Sequence, residues 1–127
     1  MHENDVTYLI RQSAFNVHTE LGPGLLESAY EAAMLHELRL VSLYVQNQVG
    51  LPMSYGDAKL DVGYRIDLLV EGKVVVELKA VEHVLEVHHM QLVTYLKLSG
   101  CKVGLLINFN VPRIKEGMFR KVNGLKE

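Results

Sequence analysis

The chain has 127 residues, of which 49% are hydrophobic and 22% are charged, and its formal net charge is −2. This composition is typical of a globular protein with one core, and we expect residues 1–127 to form a single domain. No apolar run approaches the ~20 residues that cross a bilayer, and the N-terminus lacks a signal-peptide pattern, so we expect a cytoplasmic protein without a membrane segment.

Two helices are predicted at the start of the chain. Residues 5–21 show apolar positions near helical spacing, with Asn4 or Asp5 as the N-cap, and the apolar positions are Leu9, Ala14, Val17 and Leu21. The sequence Gly-Pro-Gly at 22–24 ends this helix. A second helix follows over about 25–42, with a core stripe of Leu26, Tyr30, Met34 and Leu38.

Three strands are predicted next, because the apolar periodicity changes from helical spacing to two. The strands are residues 44–55, 63–70 and 73–80, and the turn dipeptides between them are Gly56-Asp57 and Glu71-Gly72. Pro52 indicates that the first strand lies at a sheet edge or contains a bulge. The short turn between the second and third strands predicts an antiparallel hairpin.

The remaining elements are a helix and one or two strands. Residues 86–99 return to helical spacing and end at Gly100, and the apolar run 102–110 is typical of a strand covered on both faces. Cys101 precedes that strand as a core residue, and being the lone cysteine it excludes an internal disulfide. Residues 118–122 are a candidate edge strand. The order α-α-β-β-β-α-β predicts an α/β fold with a mixed sheet and helices on its faces.

Charged residues interrupt the two strands of the predicted hairpin. Asp67 lies within one strand, and the turn places it opposite residue 76 or 77 of the next, so it approaches Glu77 with Lys79 one pleat further along. Two neighbouring carboxylates raise each other's pKa unless a cation lies between them, and they suit a divalent ion such as Mg²⁺. The alternative is an exposed strand face with a Glu–Lys ion pair of little energetic value.

Two predicted helices carry further polar groups on single faces. Glu27, Tyr30 and Glu31 share a face of the second helix, and His88, Gln91 and Tyr95 share a face of the third. Polar groups among apolar neighbours require partners, so these stripes could surround the Asp67–Glu77–Lys79 face. Half-exposed boundary positions are the alternative for each stripe.

Several of these segments together carry a family resemblance. The segment GLLESAYE at 24–31 resembles the G-x-x-E-x-x-Y signature of the bacterial GxxExxY proteins, with Gly24, Glu27 and Tyr30 at its defined positions. The segments at 63–81 and 88–112 resemble later blocks of the same family. That family is placed in the PD-(D/E)xK nuclease-like superfamily, near the RecB-type branch with its Q-x-x-x-Y motif, which here falls on Gln91 and Tyr95.

The resemblance implies a restriction-endonuclease-like core, α-β-β-β-α-β, preceded by one extra N-terminal helix. It also implies roles for particular residues. Asp67, Glu77 and the carbonyl of Leu78 would bind Mg²⁺ or Mn²⁺, and Lys79 would be the catalytic lysine. Glu27 would assist the metal site, and Gln91 and Tyr95 would orient the lysine or contact the nucleic-acid backbone. His88 is a looser candidate ligand, and Ile66 stands where the family pattern has a proline.

These roles predict a divalent-metal-dependent nuclease, with DNA favoured over RNA as the substrate, and hydrolysis of another phosphate ester stays open as a further alternative. The alternative is a non-catalytic metal-binding or interaction module that retains the nuclease fold. The charge distribution leaves open how the substrate is bound, because nucleic-acid phosphates require a positive surface. Residues 1–60, 61–96 and 97–127 carry net charges of −4, −3 and +5. The basic C-terminal segment, a homodimer or an unidentified protein partner could each supply the surface that phosphates require.

Overall fold

The computed structural model describes residues 1–126, which form three α-helices and seven strands. The helices are α1 (Glu3–Leu21), α2 (Glu27–Leu40) and α3 (Glu86–Ser99). The strands are β1 (Val45–Gly50), β2 (Met53–Tyr55), β3 (Ala58–Leu60), β4 (Arg65–Val70), β5 (Val74–Lys79), β6 (Val103–Asn108) and β7 (Met118–Val122). A single 3₁₀ turn, Ile114–Gly117, precedes β7.

The helices agree with the predicted positions, but their ends and buried faces differ in part. α1 begins earlier than expected because the His2 side chain, rather than Asn4 or Asp5, accepts the Asn4 backbone N–H as the N-cap. The core face of α1 contains Val6, Ile10, Ala14 and Val17, whereas Leu21 is exposed. In α2, Leu26 precedes the helix and is 76% exposed, so the predicted stripe begins at Tyr30.

Five strands form one mixed sheet in the order β1-β4-β5-β6-β7. β5 and β6 are parallel and joined through α3, as predicted, while the other three pairings are antiparallel. The predicted edge strand at 118–122 is confirmed as β7. The predicted strand over 44–55 is wrong in its second half, because Pro52 has no N–H for the ladder and the chain leaves the sheet. Residues 53–60 instead form the separate hairpin β2–β3.

Hydrophobic side chains cover both faces of the sheet. One cluster packs α1 and α2 against it, and its central residues include Ile10, Met34, Leu78, Leu105 and Phe109. The other packs α3 against the opposite face, with Val75, Leu92, Leu96, Cys101 and Leu106. All six residues of β6 are buried, which explains its continuous apolar sequence.

The order α2-β1-β4-β5-α3-β6 is the predicted α-β-β-β-α-β core, and α1 is the extra N-terminal helix. The structure is therefore an α/β fold of the restriction-endonuclease-like type, with a mixed sheet between helices. Within residues 1–126, no helix is long and apolar enough to cross a membrane.

Candidate functional site

The backbone ladder between β4 and β5 ends before the open end of the hairpin, where the two strands split. Two carboxylates bridge the strands at this split. Backbone pairing runs from Val70↔Val74 to Leu68↔Val76, which places Asp67 opposite Glu77. There the Leu78 N–H donates to Asp67 Oδ2, and the Asp67 N–H donates to Glu77 Oε2, both at 2.8 Å. Each acid thus bonds to the other strand's backbone with one oxygen, and one oxygen of each carboxylate stays available to another group.

The backbone of Leu78 is directed toward this split. The Lys79 carbonyl accepts the Phe109 N–H on the β6 side. Because successive residues of a strand direct their backbone groups to opposite neighbours, the N–H and carbonyl of Leu78 face β4 instead. The Leu78 N–H already binds Asp67, so the Leu78 carbonyl lies on the side where the strands separate.

In β1 and in β4, the core-facing side chains switch from one face of the sheet to the other at the same register. Val45 and Leu68 pack with α1 and α2, whereas Val49 and Ile66 pack with α3, although regular alternation would keep each strand's pair on one face. Between them lies Gln48, which has a left-handed φ of 51°. Such a conformation is uncommon for a non-glycine residue and costs on the order of 1–3 kcal/mol. It directs the Gln48 side chain toward Asp67.

A cleft of about 190 Å³ opens beside Asp67, between the sheet and the start of α2, and its lining comprises Glu27, Ser28, Glu31, Gln48, Asp67 and Leu78. Gln48 Nε2 donates to Glu31 Oε1 at 2.6 Å and lies 3.4 Å from Asp67 Oδ1. Three carboxylates therefore line one small cleft. Larger cavities lie elsewhere, including a groove of about 570 Å³ between α1 and α2, so the cleft suits an ion and waters better than an organic ligand.

Tyr30 shares a helix with Glu27 and Glu31 but does not line the cleft. Its ring is fully buried and stacks on Phe109 with centroids 4.4 Å apart. Its hydroxyl donates to the Gly22 carbonyl at 2.6 Å and accepts the Leu25 N–H at 3.1 Å. The predicted shared face is thus corrected, because Tyr30 closes the loop before α2 and thereby positions the turn that carries Glu27.

Lys79 follows the split on β5 and is half-buried. Its charge lowers the pKa of both Asp67 and Glu77, yet within residues 1–126 it forms no ion pair with either. Asn108 lies beside it on β6 and is 2% exposed. The Asn108 side chain accepts the N–H of Val81 and donates to the Val81 carbonyl, which fixes the chain directly after Lys79.

The surroundings of the two acids do not compensate the negative charge that both would carry when ionised. Burial raises the pKa of Asp67, and the Glu31 carboxylate raises it further. Burial, followed by repulsion from Asp67, raises the pKa of Glu77 to about 8. The hydrogen bonds and Lys79 oppose these effects only in part. A cation between the two carboxylates would reverse the shift of both pKa values.

The predicted residues of α3 lie on the other side of the sheet from the cleft. Gln91 Nε2 donates to Tyr95 Oη at 3.1 Å, and both residues line a groove of about 310 Å³ with Tyr64. Burial raises the pKa of Tyr95, and the Glu77 and Asp67 charges raise it further, so the phenol lies within electrostatic range of both acids. His88 Nδ1 accepts the Leu85 N–H and caps α3.

The structure adds two residues to those that the sequence indicated around the site, Gln48 and Asn108. Glu31, which the sequence already placed on a helical face with Glu27, lines the cleft. The only sequence signal for Asn108 is that it is a polar residue within an apolar strand. Nothing in the sequence indicates that its side chain bonds to Val81. Gln48 had no local signal, because its position depends on a left-handed φ and on pairing with a strand about 20 residues later.

The oxygens of Asp67, Glu77 and the Leu78 carbonyl are hard donors of the type that suits Mg²⁺ or Mn²⁺, and these residues would hold such an ion. The raised pKa values of Asp67 and Glu77, which show that no cation compensates the two carboxylates, support the same fit. No group of three or more His, Cys, Asp or Glu side chains in the described part of the chain is close enough to form a metal site. Carbonyl and water ligands would therefore complete the coordination.

The family model of the PD-(D/E)XK nuclease superfamily matches residues 4–121, so the chain belongs to this superfamily. Nucleases of the superfamily generally use divalent metal ions. Comparison with curated proteins and with solved structures found no significant match.

Proposed function

We propose that this protein is a Mg²⁺- or Mn²⁺-dependent nuclease that hydrolyses phosphodiester bonds, with DNA as the preferred substrate. The observation that carries the proposal is the carboxylate pair at the split of β4 and β5, where Asp67 and Glu77 each bond to the other strand and together lack a compensating cation. Membership of the nuclease superfamily supports the reaction class.

Each residue of the site would have a defined task. Asp67, Glu77 and the Leu78 carbonyl would hold the ion, and Glu27 would bind its waters from α2. When bound, the ion supplies Lewis acidity and neutralises the charge of the phosphate. Lys79 would orient the attacking water with its ammonium group, and Gln91 and Tyr95 would steady Lys79 or the nucleic-acid backbone.

We also propose that the chain is a GxxExxY protein close to the RecB-type branch. The structure gives the motif positions a physical reason that supports this assignment. Gly24 has a φ of 99°, which favours glycine, Glu27 is the first residue of α2, and Tyr30 bonds across the intervening loop. The three motif residues therefore build one unit, which presents Glu27 to the cleft.

A cleavage assay tests the proposed reaction. End-labelled single-stranded DNA, duplex DNA and RNA are incubated with Mg²⁺ or Mn²⁺ and either wild type, Asp67→Asn or Lys79→Ala. We expect wild type to cut DNA and each variant to lose at least about a hundredfold in rate, because each removes a group acting at the reacting phosphate. Asp57→Asn and Lys59→Ala on the exposed hairpin β2–β3 make matched changes and should retain full activity.

One observation favours a second function, a binding or assembly module without catalysis. Asp67 and Glu77 already serve a structural purpose, since their carboxylates replace the missing ladder bonds between β4 and β5. Such a module would act through a protein partner or a homodimer, and the metal would stabilise it. Absence of cleavage by wild type with either ion, together with tight Mn²⁺ binding, would favour this function over the nuclease.

A further inference from the structure

A groove of about 550 Å³ lies beside the loop that leads into α2. It is bordered by the end of α1, by the loop at 22–23 and by the segment after β6, and its lining includes Phe15, His18, Pro23, Pro112, Arg113 and Lys115. The groove thus combines two cationic side chains with an aromatic ring and two prolines. This composition differs from the acidic cleft next to it.

The walls of the groove are held by specific contacts. The His18 Nε2–H donates to the Val111 carbonyl at 2.8 Å and joins α1 to the segment after β6. Ile114 is buried between the two exposed cations, Arg113 and Lys115. Gly117 lies so close to the Asn108 carbonyl that a Cβ there would be 2.1 Å from it. The segment that carries the cations is therefore packed against the body of the protein.

The groove and the cleft are neighbours along the chain. Pro23 lines the groove and Glu27 lines the cleft, and four residues span at most about 14 Å. Stacked nucleotides rise by about 3.4 Å each, so roughly four of them would cover this distance. The backbone positions of Pro23 and Glu27 are therefore within reach of one short nucleic-acid strand.

The two sites carry opposite charge, and only the groove is complementary to the phosphates of a nucleic acid. Glu27, Glu31 and Asp67 make the cleft negative, whereas Arg113 and Lys115 are exposed. Within residues 1–126 neither cation forms an ion pair with a carboxylate. Phe15 is 57% exposed, and exposed aromatic rings beside cations stack bases of single strands without sequence preference.

We propose that this groove binds a single-stranded segment of the nucleic acid about four nucleotides from the carboxylate cleft. Arg113 and Lys115 contact its phosphates, and a base stacks on Phe15. The inference rests on the proposed nuclease function for the path of the strand, and it identifies single-stranded nucleic acid as the ligand of Arg113 and Lys115.

Binding of a fluorescent single-stranded oligothymidine, measured by anisotropy in EDTA over a series of salt concentrations, tests the groove. The double variant Arg113→Ala/Lys115→Ala should bind about tenfold more weakly, and its log Kd–log salt slope should fall by about 1.4. Phe15→Ala should weaken binding by about 5- to 160-fold with an unchanged slope. The matched controls are Lys97→Ala/Lys102→Ala, exposed cations outside the groove, and Tyr8→Ala, an equally exposed ring two turns earlier on α1.

Equal weakening in groove and control variants overturns the inference, as does a wild type that binds no single strand or prefers duplex. Cleavage with Mg²⁺ or Mn²⁺, followed in parallel, separates the two proposals. If wild type cuts DNA while the groove variants bind like the controls, the groove is wrong and the nuclease stands. If binding depends on the groove but wild type cuts nothing, the nuclease is wrong and the groove stands.

Discussion

At the scale of single residues, Asp67 and Glu77 combine two properties that seldom coexist. Their hydrogen bonds to the opposite strand stabilise the split hairpin, and their burial disfavours the charged form that makes those bonds strongest. If the two acids served only structure, a neighbouring cationic side chain would be expected to form an ion pair with them and stabilise their buried charge. Lys79 forms no ion pair with either acid within residues 1–126, so under the proposed function a cation from solution would supply the missing charge.

The pKa of Glu77 predicts a pH dependence of stability in the metal-free protein. The unfolded pKa is 4.5 and the folded pKa is about 8, so the folded state retains a proton that the unfolded state releases. The free energy of unfolding should therefore fall as pH rises from about 4.5 to 8. Each pKa unit is worth about 1.4 kcal/mol, and Asp67, whose pKa is also raised, changes stability in the same direction.

Glu77→Gln removes this titration while its amide oxygen can still accept the Asp67 N–H. In EDTA, the variant should gain stability relative to wild type at pH 8 and much less at pH 5, as urea unfolding at both values would measure. Glu82→Gln, on a side chain that is 88% exposed, should leave the wild-type profile unchanged. Parallel profiles for wild type and Glu77→Gln would contradict the assigned pKa.

At the scale of elements, the start of α2 is held by tertiary contacts rather than by a local cap. Leu26 at the N-cap makes no side-chain hydrogen bond, so Tyr30 supplies the loop contacts from within the helix. The buried stacking of Tyr30 on Phe109 connects this loop to the segment after β6. One side chain therefore links the position of Glu27 to the core.

Tyr30→Phe should keep the stacking on Phe109 and lose both loop hydrogen bonds. We expect a loss of about 1–2 kcal/mol in the free energy of unfolding, since a net hydrogen bond contributes about 1 kcal/mol. Urea unfolding measures this loss, and Tyr44→Phe on a 63% exposed side chain is the matched control. If both variants were equally stable, Tyr30 would act through packing alone.

At the scale of the whole molecule, negative and positive charge are divided between two neighbouring sites. The carboxylates gather at the split of the sheet, and the basic C-terminal segment contributes Arg113 and Lys115 beside the loop that leads to α2. A small core with a net charge of −2 can thus present a locally positive surface to phosphates. A homodimer or a protein partner remains a proposal for extending that surface.

Metal binding to the folded state should raise the melting temperature of the whole protein. Mg²⁺ or Mn²⁺ at a hundredfold excess over its Kd stabilises by about 2.7 kcal/mol, or roughly 10 °C for a domain of this size. Differential scanning fluorimetry at pH 8 measures the shift, which Asp67→Asn should abolish and Asp57→Asn should retain. An identical shift in wild type and Asp67→Asn would place the ion elsewhere.

Much of the fold was predictable because it depends on local patterns. The apolar periods located all three helices and the strands around Asp67, Glu77 and residues 103–108. The hairpin turn at residues 71–72 was enough to place Asp67 opposite Glu77. The error at residues 51–60 arose from reading alternation through Pro52, where the ladder has no donor.

The sequence by itself determined the order of the elements, the mixed sheet and the pairing of the two acids, since short-range spacing and turn length specify them. Only the tertiary structure decided how the cleft is assembled and how the chain after Lys79 is fixed. Gln48, Glu31 and Asn108 acquire their partners through a left-handed φ, a helix start held by Tyr30 and a crossover between parallel strands. These contacts join residues distant in the chain, and no local periodicity encodes a distance between elements.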